Sequence, residues 1–202
     1  MKLAMLLFIG AAASFAEPRL FFSKSFPGST PAYVAITLER NGAGEYKEAQ
    51  DDQSPLKFQL SAAETDEMFA LAEKLDRFKR PLESNLKVAQ MGMKTFIFED
   101  GGSKAEVKFN FSEDADARAL TDWFERISET GQSYWALERA VKYDKLGVNQ
   151  ALLQFNISLD RKRVVSPEIF LPMLDRVAKN ATYLNMARSR AANLAQSIRA
   201  AK

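Results

Sequence analysis

Residues Met93–Phe111 constrain this chain more than any other stretch. From Ser103 the residues alternate: Ala105, Val107, Phe109 and Phe111 fall on one face, and Lys104, Glu106, Lys108 and Asn110 on the other. A period of two is the pattern of a half-buried strand. The preceding run, Met93-Lys-Thr-Phe-Ile-Phe-Glu99, is apolar on both phases near its centre, which predicts a strand covered in part on both sides. Asp100-Gly101-Gly102 joins the two runs, and glycine supplies the positive φ that tight hairpin turns demand. The stretch therefore reads as a hairpin, with strands at 93–99 and 103–111.

Other strands are expected before it. Arg19–Ser25 reads as a first strand, residues 32–40 as a second with Val34, Ile36 and Leu38 on one face, and 44–49 as a third. Asn41-Gly42 between the latter two is a strong hairpin signal. A short fourth strand is expected at 56–60. Ser61-Ala-Ala-Glu64 fits a capping box, and Met68, Leu71, Ala72, Leu75 and Phe78 follow at helical spacing. This predicts a helix over 62–79, ended by Arg80 in front of Pro81. Leu82–Met91 reads as loop.

After the hairpin, Ser112–Ala115 offers caps and first-turn acids for a helix over 114–130. Its stripe of Leu120, Trp123, Phe124 and Ile127 resumes as Tyr134, Leu137 and Val141, with Gly131 between as a kink or a break. No strand signal follows. Val148, Leu152, Phe155 and Leu159 keep a three-four spacing, and Ser166-Pro167-Glu168 has the chemistry of a helix start. A last helix is expected from near Ala181, with Leu184, Ala187, Ala191, Leu194 and Ile198 in register. The fold class is accordingly α+β: an antiparallel sheet of hairpins packed by amphipathic helices over 17–131, then a helical region over 132–202.

Residues 1–16 read as a signal peptide. Met1-Lys2 is a short positive start, Leu3–Ala13 is mostly apolar, and Ser14-Phe-Ala16 places small residues at the cleavage position. The expected localisation is periplasmic or extracellular. The apolar run falls short of the roughly 20 residues of a bilayer-spanning helix, and nothing comparable follows it, so no transmembrane segment is expected after cleavage.

The chain has no Cys and no His. This removes Ser-His-Asp and Cys-His nucleophilic sites, structural zinc and histidine-based pH sensing. Carboxylate, Lys, Tyr or Ser chemistry and oxygen-ligated hard cations remain. Ser-x-x-Lys occurs at Ser54–Lys57 and Ser84–Lys87, but the companion motifs are missing: Lys94-Thr95 precedes Phe96 where glycine would be needed. The acid pairs Asp51-Asp52, Glu99-Asp100 and Asp114 with Asp116 fall in a loop, a turn and a helix start, where acids occur for backbone reasons. Trp123, Phe124, Tyr134 and Trp135 read as a layer covering the hairpin, or else as the lining of a ligand pocket. No residue is assigned a catalytic, cofactor-binding or metal-binding role, and no cofactor is called for.

Charge is uneven along the chain. Residues 151–202 hold nine Lys and Arg against three acids, while 17–150 hold eighteen against twenty-three. Arg161-Lys-Arg163, Arg188, Arg190 and Arg199 make the C-terminal part basic, a face for an anionic surface or for the acidic N-terminal part. Nucleic acid is disfavoured for an exported chain without interleaved aromatics. With its leader, its Asn41-Gly42 and Asp100-Gly-Gly102 hairpins and its Arg/Ala-rich last helix, the chain resembles small uncharacterised exported bacterial proteins that combine hairpins with helices. That resemblance implies no functional residue. The leading expectation is a non-enzymatic envelope protein that binds another macromolecule through its C-terminal helices. A small-molecule or lipid carrier, with its pocket between sheet and aromatic helix, is the alternative. A carboxylate-based hydrolase stands third.

Overall fold

A computed structural model describes residues 17–201, so the leader expected at 1–16 lies outside the described residues. Among them the chain is an α+β fold: a six-stranded antiparallel sheet and five α-helices, the C-terminal part being helical. The strands are β1 (Arg19–Ser25), β2 (Tyr33–Glu39), β3 (Ala43–Lys47), β4 (Leu56–Gln59), β5 (Met93–Asp100) and β6 (Ser103–Phe109), in the sheet order β4-β3-β2-β1-β5-β6. The helices are α1 (Ala62–Lys74), α2 (Ala115–Tyr143), α3 (Val148–Asp160), α4 (Leu171–Lys179) and α5 (Asn185–Ala200).

The hairpin β5–β6 turns through Gly101 and Gly102, with φ of 54° and 89°, and pairs Asp100 with Ser103. Val107 and Phe109 point inward, and Lys104, Glu106 and Lys108 are exposed. Asn110 departs from the expected alternation. It is buried, and its side chain accepts from Met91 N at 2.7 Å and donates to Ala89 O at 3.0 Å, so it pins the 82–92 loop instead of facing solvent. Ile97, on the outer phase of β5, is also buried, between Phe21 of β1 and Glu106 of β6.

The inner face of the sheet carries Leu20, Phe22, Ile36, Leu38, Phe96 and Phe98, which pack with α1 and the first half of α2 into one core. Phe124 of α2 lies flat on Phe22, ring centroids 4.7 Å apart, and meets Phe96 at 5.7 Å. Among Trp123, Phe124, Tyr134 and Trp135, which all pack on this core, Phe124 is the one whose ring meets an aromatic ring of the hairpin. Trp123 turns to α1, donating to Glu67 at 3.1 Å beneath the Arg126 guanidinium. Tyr134 and Trp135 stack edge-to-face with one another, and Tyr134 reaches Phe170.

The capping box at Ser61 and Glu64 forms as the spacing predicts. The helix, however, stops at Lys74 and not near Lys79. Asp76, Arg77 and Phe78 all take positive φ, which reverses the chain and delivers Phe78 onto Phe96, 5.1 Å between rings. Burial of that ring outweighs the cost of left-handed backbone at non-glycine residues.

Gly131 does not break the helix expected over 114–130. The helix begins after Asp114, whose carboxylate accepts from Asp116 N and Ala117 N, and runs on to Tyr143. Glycine stands at 131 because the buried Tyr46 ring lies against it, and a Cβ there would collide with that ring. α2 thus crosses residues 131–132 intact. Its second half supplies Leu137 and Val141 to another core, shared with Phe155, Phe170, Leu174 and Leu194. Ser166 does not cap a helix. Its backbone is left-handed, its hydroxyl donates to Gln59 O of β4, and a 3-10 turn over Pro167–Phe170 precedes α4. The last helix starts at Asn185, after a turn in which Asn180 Oδ1 accepts from Thr182 N at 2.9 Å.

Replacing Gly131 by Ala forces Tyr46 or α2 to move and should lower stability by about 1–3 kcal/mol, the usual range for overpacking. A urea titration of Gly131→Ala checks this; an unchanged midpoint would show that the contact yields freely.

Candidate functional site

On β1 the inward phase runs Leu20, Phe22, Lys24, and on β5 it runs Phe98, Phe96, Lys94. The register of the two strands sets Lys24 directly opposite Lys94. Two lysines therefore sit side by side on a face otherwise made of aromatic and aliphatic side chains, beneath α2. Like charges directly opposed across strands are unfavourable, and charged groups in an apolar layer more so.

The two lysines are compensated differently. Lys24 is half-buried, and its Nζ lies 3.4 Å from Glu125 Oε1 on α2. Lys94 is only 6% exposed. Its Nζ donates to Asn110 O at 2.8 Å and Gly92 O at 3.4 Å, and lies 5.8 Å above the Phe109 ring. Among the described residues no carboxylate forms an ion pair with it. Burial, and then the charge of Lys24, push its pKa below the ordinary 10.5, against a smaller opposing pull from Glu125 and Glu83.

The loop that closes this end of the sheet is tied to the same point. Glu83 accepts from Asn110 N at 2.6 Å and from Ser84 N at 3.1 Å. The Asn110 bond is the main cause holding the Glu83 carboxyl below its usual range. Asn110 thus holds the loop with its side chain and amide, and holds Lys94 with its carbonyl.

Two cavities flank the Lys24–Glu125 pair. One, of about 330 Å³, lies between α2 and the β1–β2 connection and is lined by Phe22, Phe26, Pro31 and Val34 with Ser128 and Gln132. The other, of about 290 Å³, contains Lys94 and is walled by Met91, Phe109 and Phe111 with Arg118 and Thr121. Together they form a cleft. Lys24 and Glu125 line both cavities, Glu129 borders the first and Asp122 the second, so apolar walls meet a floor on which lysines and carboxylates alternate. A wider recess of about 770 Å³ at the opposite end of the sheet is bordered by Arg19, Glu99 and Lys104, which already pair with one another.

The acids of α2 nearest the cleft are largely committed elsewhere. Arg163, from the segment after α3, reaches both Asp122 at 2.5 Å and Glu129 at 2.8 Å. Its guanidinium is held more firmly protonated by these bonds, the Glu129 one foremost. Glu125 is left as the carboxylate facing the lysine pair directly.

The acid pairs singled out in the sequence do not converge. Asp52 closes a turn onto Ser54 N, Glu99 pairs with Arg19 and Lys104, Asp100 with Arg77, Asp114 with Arg80 and Asp116 with Lys74. Among the described residues no group of three acids is arranged to hold a metal ion. The basic C-terminal residues are also engaged within the fold: Arg188 with Ala178 O, Arg190 with Asn149 and Arg199 with Asp175. Sequence reasoning missed Lys24 and Lys94. The signal was present, since each is a cation on the apolar phase of an expected strand. Comparison with protein-family models, curated proteins and solved structures found no match for this chain.

The depressed pKa of Lys94 has a definite consequence for stability. Between its folded value and 10.5 the unfolded chain binds a proton that the folded chain does not, so stability rises with pH across that window. Below the window the cost of the buried charge is paid in full. Lys94→Met removes the charge at similar volume. Relative to the wild type, the variant should be most favoured near neutrality, and the difference should narrow as pH rises towards 10.5. Urea midpoints of both proteins across that range check it; a constant difference would count against the shift.

Proposed function

We propose that the protein binds a small amphipathic anion, a carboxylate or phosphate ester with an apolar body, in the cleft between the sheet and α2. The single observation that carries this is the Lys24–Lys94 pair: two cations fixed opposite each other on the core face, one of them buried without a carboxylate partner. Such a conflict between local chemistry and surroundings marks functional sites more often than structural ones. An anionic group placed over the pair would supply the missing counter-charge, in competition with Glu125, whose 3.4 Å approach to Lys24 is loose.

The walls support an apolar body. Met91, Phe109 and Phe111 line the Lys94 side, and the adjoining loop exposes Leu86 and Val88 as well. Pockets that take small molecules combine such walls with a few convergent polar groups. This is the carrier reading, with the ligand under α2. It accords with an exported protein if residues 1–16 act as the leader their composition proposes. The inward bonds of Arg163, Arg190 and Arg199 support placing the binding role in the cleft and not along the basic helices.

Octanoate, with octanol as the uncharged control, tests the reading by thermal shift and by native mass spectrometry. Octanoate at about 100 times its Kd should stabilise the fold by about 2.7 kcal/mol. Octanol should do so far less, and Lys24→Met and Lys94→Met should each lose most of the octanoate effect while remaining folded. Equal shifts with octanoate and octanol, or full octanoate binding by Lys94→Met, would overturn it.

A further inference from the structure

We infer that one end of the helical part is a docking tip for an anionic lipid surface. The turn between α2 and α3 and the turn between α4 and α5 lie side by side there. Tyr183 OH donates to Val141 O at 3.2 Å, Asn149 contacts the Met186 sulfur at 3.5 Å, and Arg190 reaches Asn149 O at 3.1 Å. Each turn presents two large apolar residues outward. Tyr143 is 83% exposed and Leu146 75% on the first, and Leu184 is 51% exposed and Met186 63% on the second.

Four such side chains at adjacent turns form a projecting apolar patch, not the scattered exposure normal for a surface. Projection at helix-connecting turns is the geometry that enters the headgroup layer without disturbing the helices behind it. Tyrosine, moreover, suits the boundary, with its ring in the apolar layer and its hydroxyl in water.

Charge chooses the partner. Lys145 lies in the first turn, Lys179 ends α4 and Arg188 sits in the first turn of α5. Lys145, Lys179 and Arg188 form no ion pair among the described residues, whereas Arg199, at the far end of α5, is paired with Asp175. Of the acids nearby, Glu138 pairs with Lys142 at 3.0 Å, and Asp144, which accepts from Gly147 N at 3.0 Å, still leaves the three cations in excess. An apolar tip flanked by a net excess of cations matches a bilayer rich in anionic headgroups, where apolar insertion and charge attraction add. The tip belongs to the helical core, away from the lysine cleft, so each can hold or fail without the other.

Co-sedimentation with vesicles tests the inference. The wild-type protein should bind vesicles of phosphatidylglycerol mixed with phosphatidylcholine, bind pure phosphatidylcholine poorly, and release with added salt. Leu146→Ser with Met186→Ser should weaken binding about a hundredfold, roughly tenfold for each apolar side chain withdrawn. Lys145→Gln should weaken it about fivefold. These positions are exposed, so thermal unfolding should be unchanged, and it serves as the check on folding. In Tyr143→Trp, tryptophan emission should shift to the blue with vesicles and be quenched by brominated acyl chains. Binding unaffected by the double substitution would overturn the proposal. So would a dimer in sedimentation equilibrium that the same substitution abolishes, because the patch would then be an interface between two copies of the chain.

Discussion

The stacking of Phe124 on Phe22, at 4.7 Å and nearly parallel, fixes α2 to the sheet, and most of the molecule follows from that contact. Phe124 also meets Phe96, which in turn packs on Phe78 and Phe109. An aromatic pair adds about 0.5–1.5 kcal/mol beyond its buried area. A contiguous set of five rings is therefore a firm seat for a helix. Glu125, the next residue, is carried by the same contact to the mouth of the lysine pair. About two turns further on, Gly131 lets α2 approach the Tyr46 ring, and from there the helix leaves the sheet to become the spine of the second core. A continuous helix shared by two hydrophobic cores couples them mechanically, although each core is built from its own residues.

Arg163 completes that coupling in electrostatic terms. The acidic first part and the basic last part of the chain meet through its guanidinium, which takes two carboxylates of α2 at once. Exposed ion pairs contribute little individually. Arg163 is more sheltered than its partners, and the hydroxyl of Thr130 accepts from Val165 N two residues further on, so the segment is positioned by more than charge. The wider effect falls on the cleft. With Asp122 and Glu129 drawn to Arg163, the lysine pair faces less negative charge than the sequence of α2 alone implies. The helical region thereby shapes the field of a site built from strands.

Much of the fold was legible because its signals are local. The hairpin at 93–111, the turn at Asn41-Gly42 and the capping box at Ser61–Glu64 each depend on a few neighbouring residues. The larger departures come from long-range packing. Phe78 leaves the helical path to reach Phe96, Gly131 answers to Tyr46, and Ser166 serves the β4 carbonyl of Gln59. No window of sequence contains both partners of any of these contacts. The lysine cleft was half visible. Alternation puts Lys24 and Lys94 on apolar phases, but only the β1–β5 pairing, across some seventy residues of chain, sets one against the other.

That pairing also bears on why such an arrangement persists. A buried cation held by two carbonyl oxygens is a poor way to stabilise a sheet, since an apolar side chain of the same volume is often neutral or better. Lys94 sits where Val or Leu would extend the aromatic layer, and Asn110, Glu83 and the 82–92 loop are arranged so that its ammonium has fixed partners. The surrounding structure is therefore organised around keeping the charge in place. A network of this kind makes physical sense when the charge is used, because an ammonium fixed in advance at the floor of an apolar cleft loses little further freedom when an anion arrives.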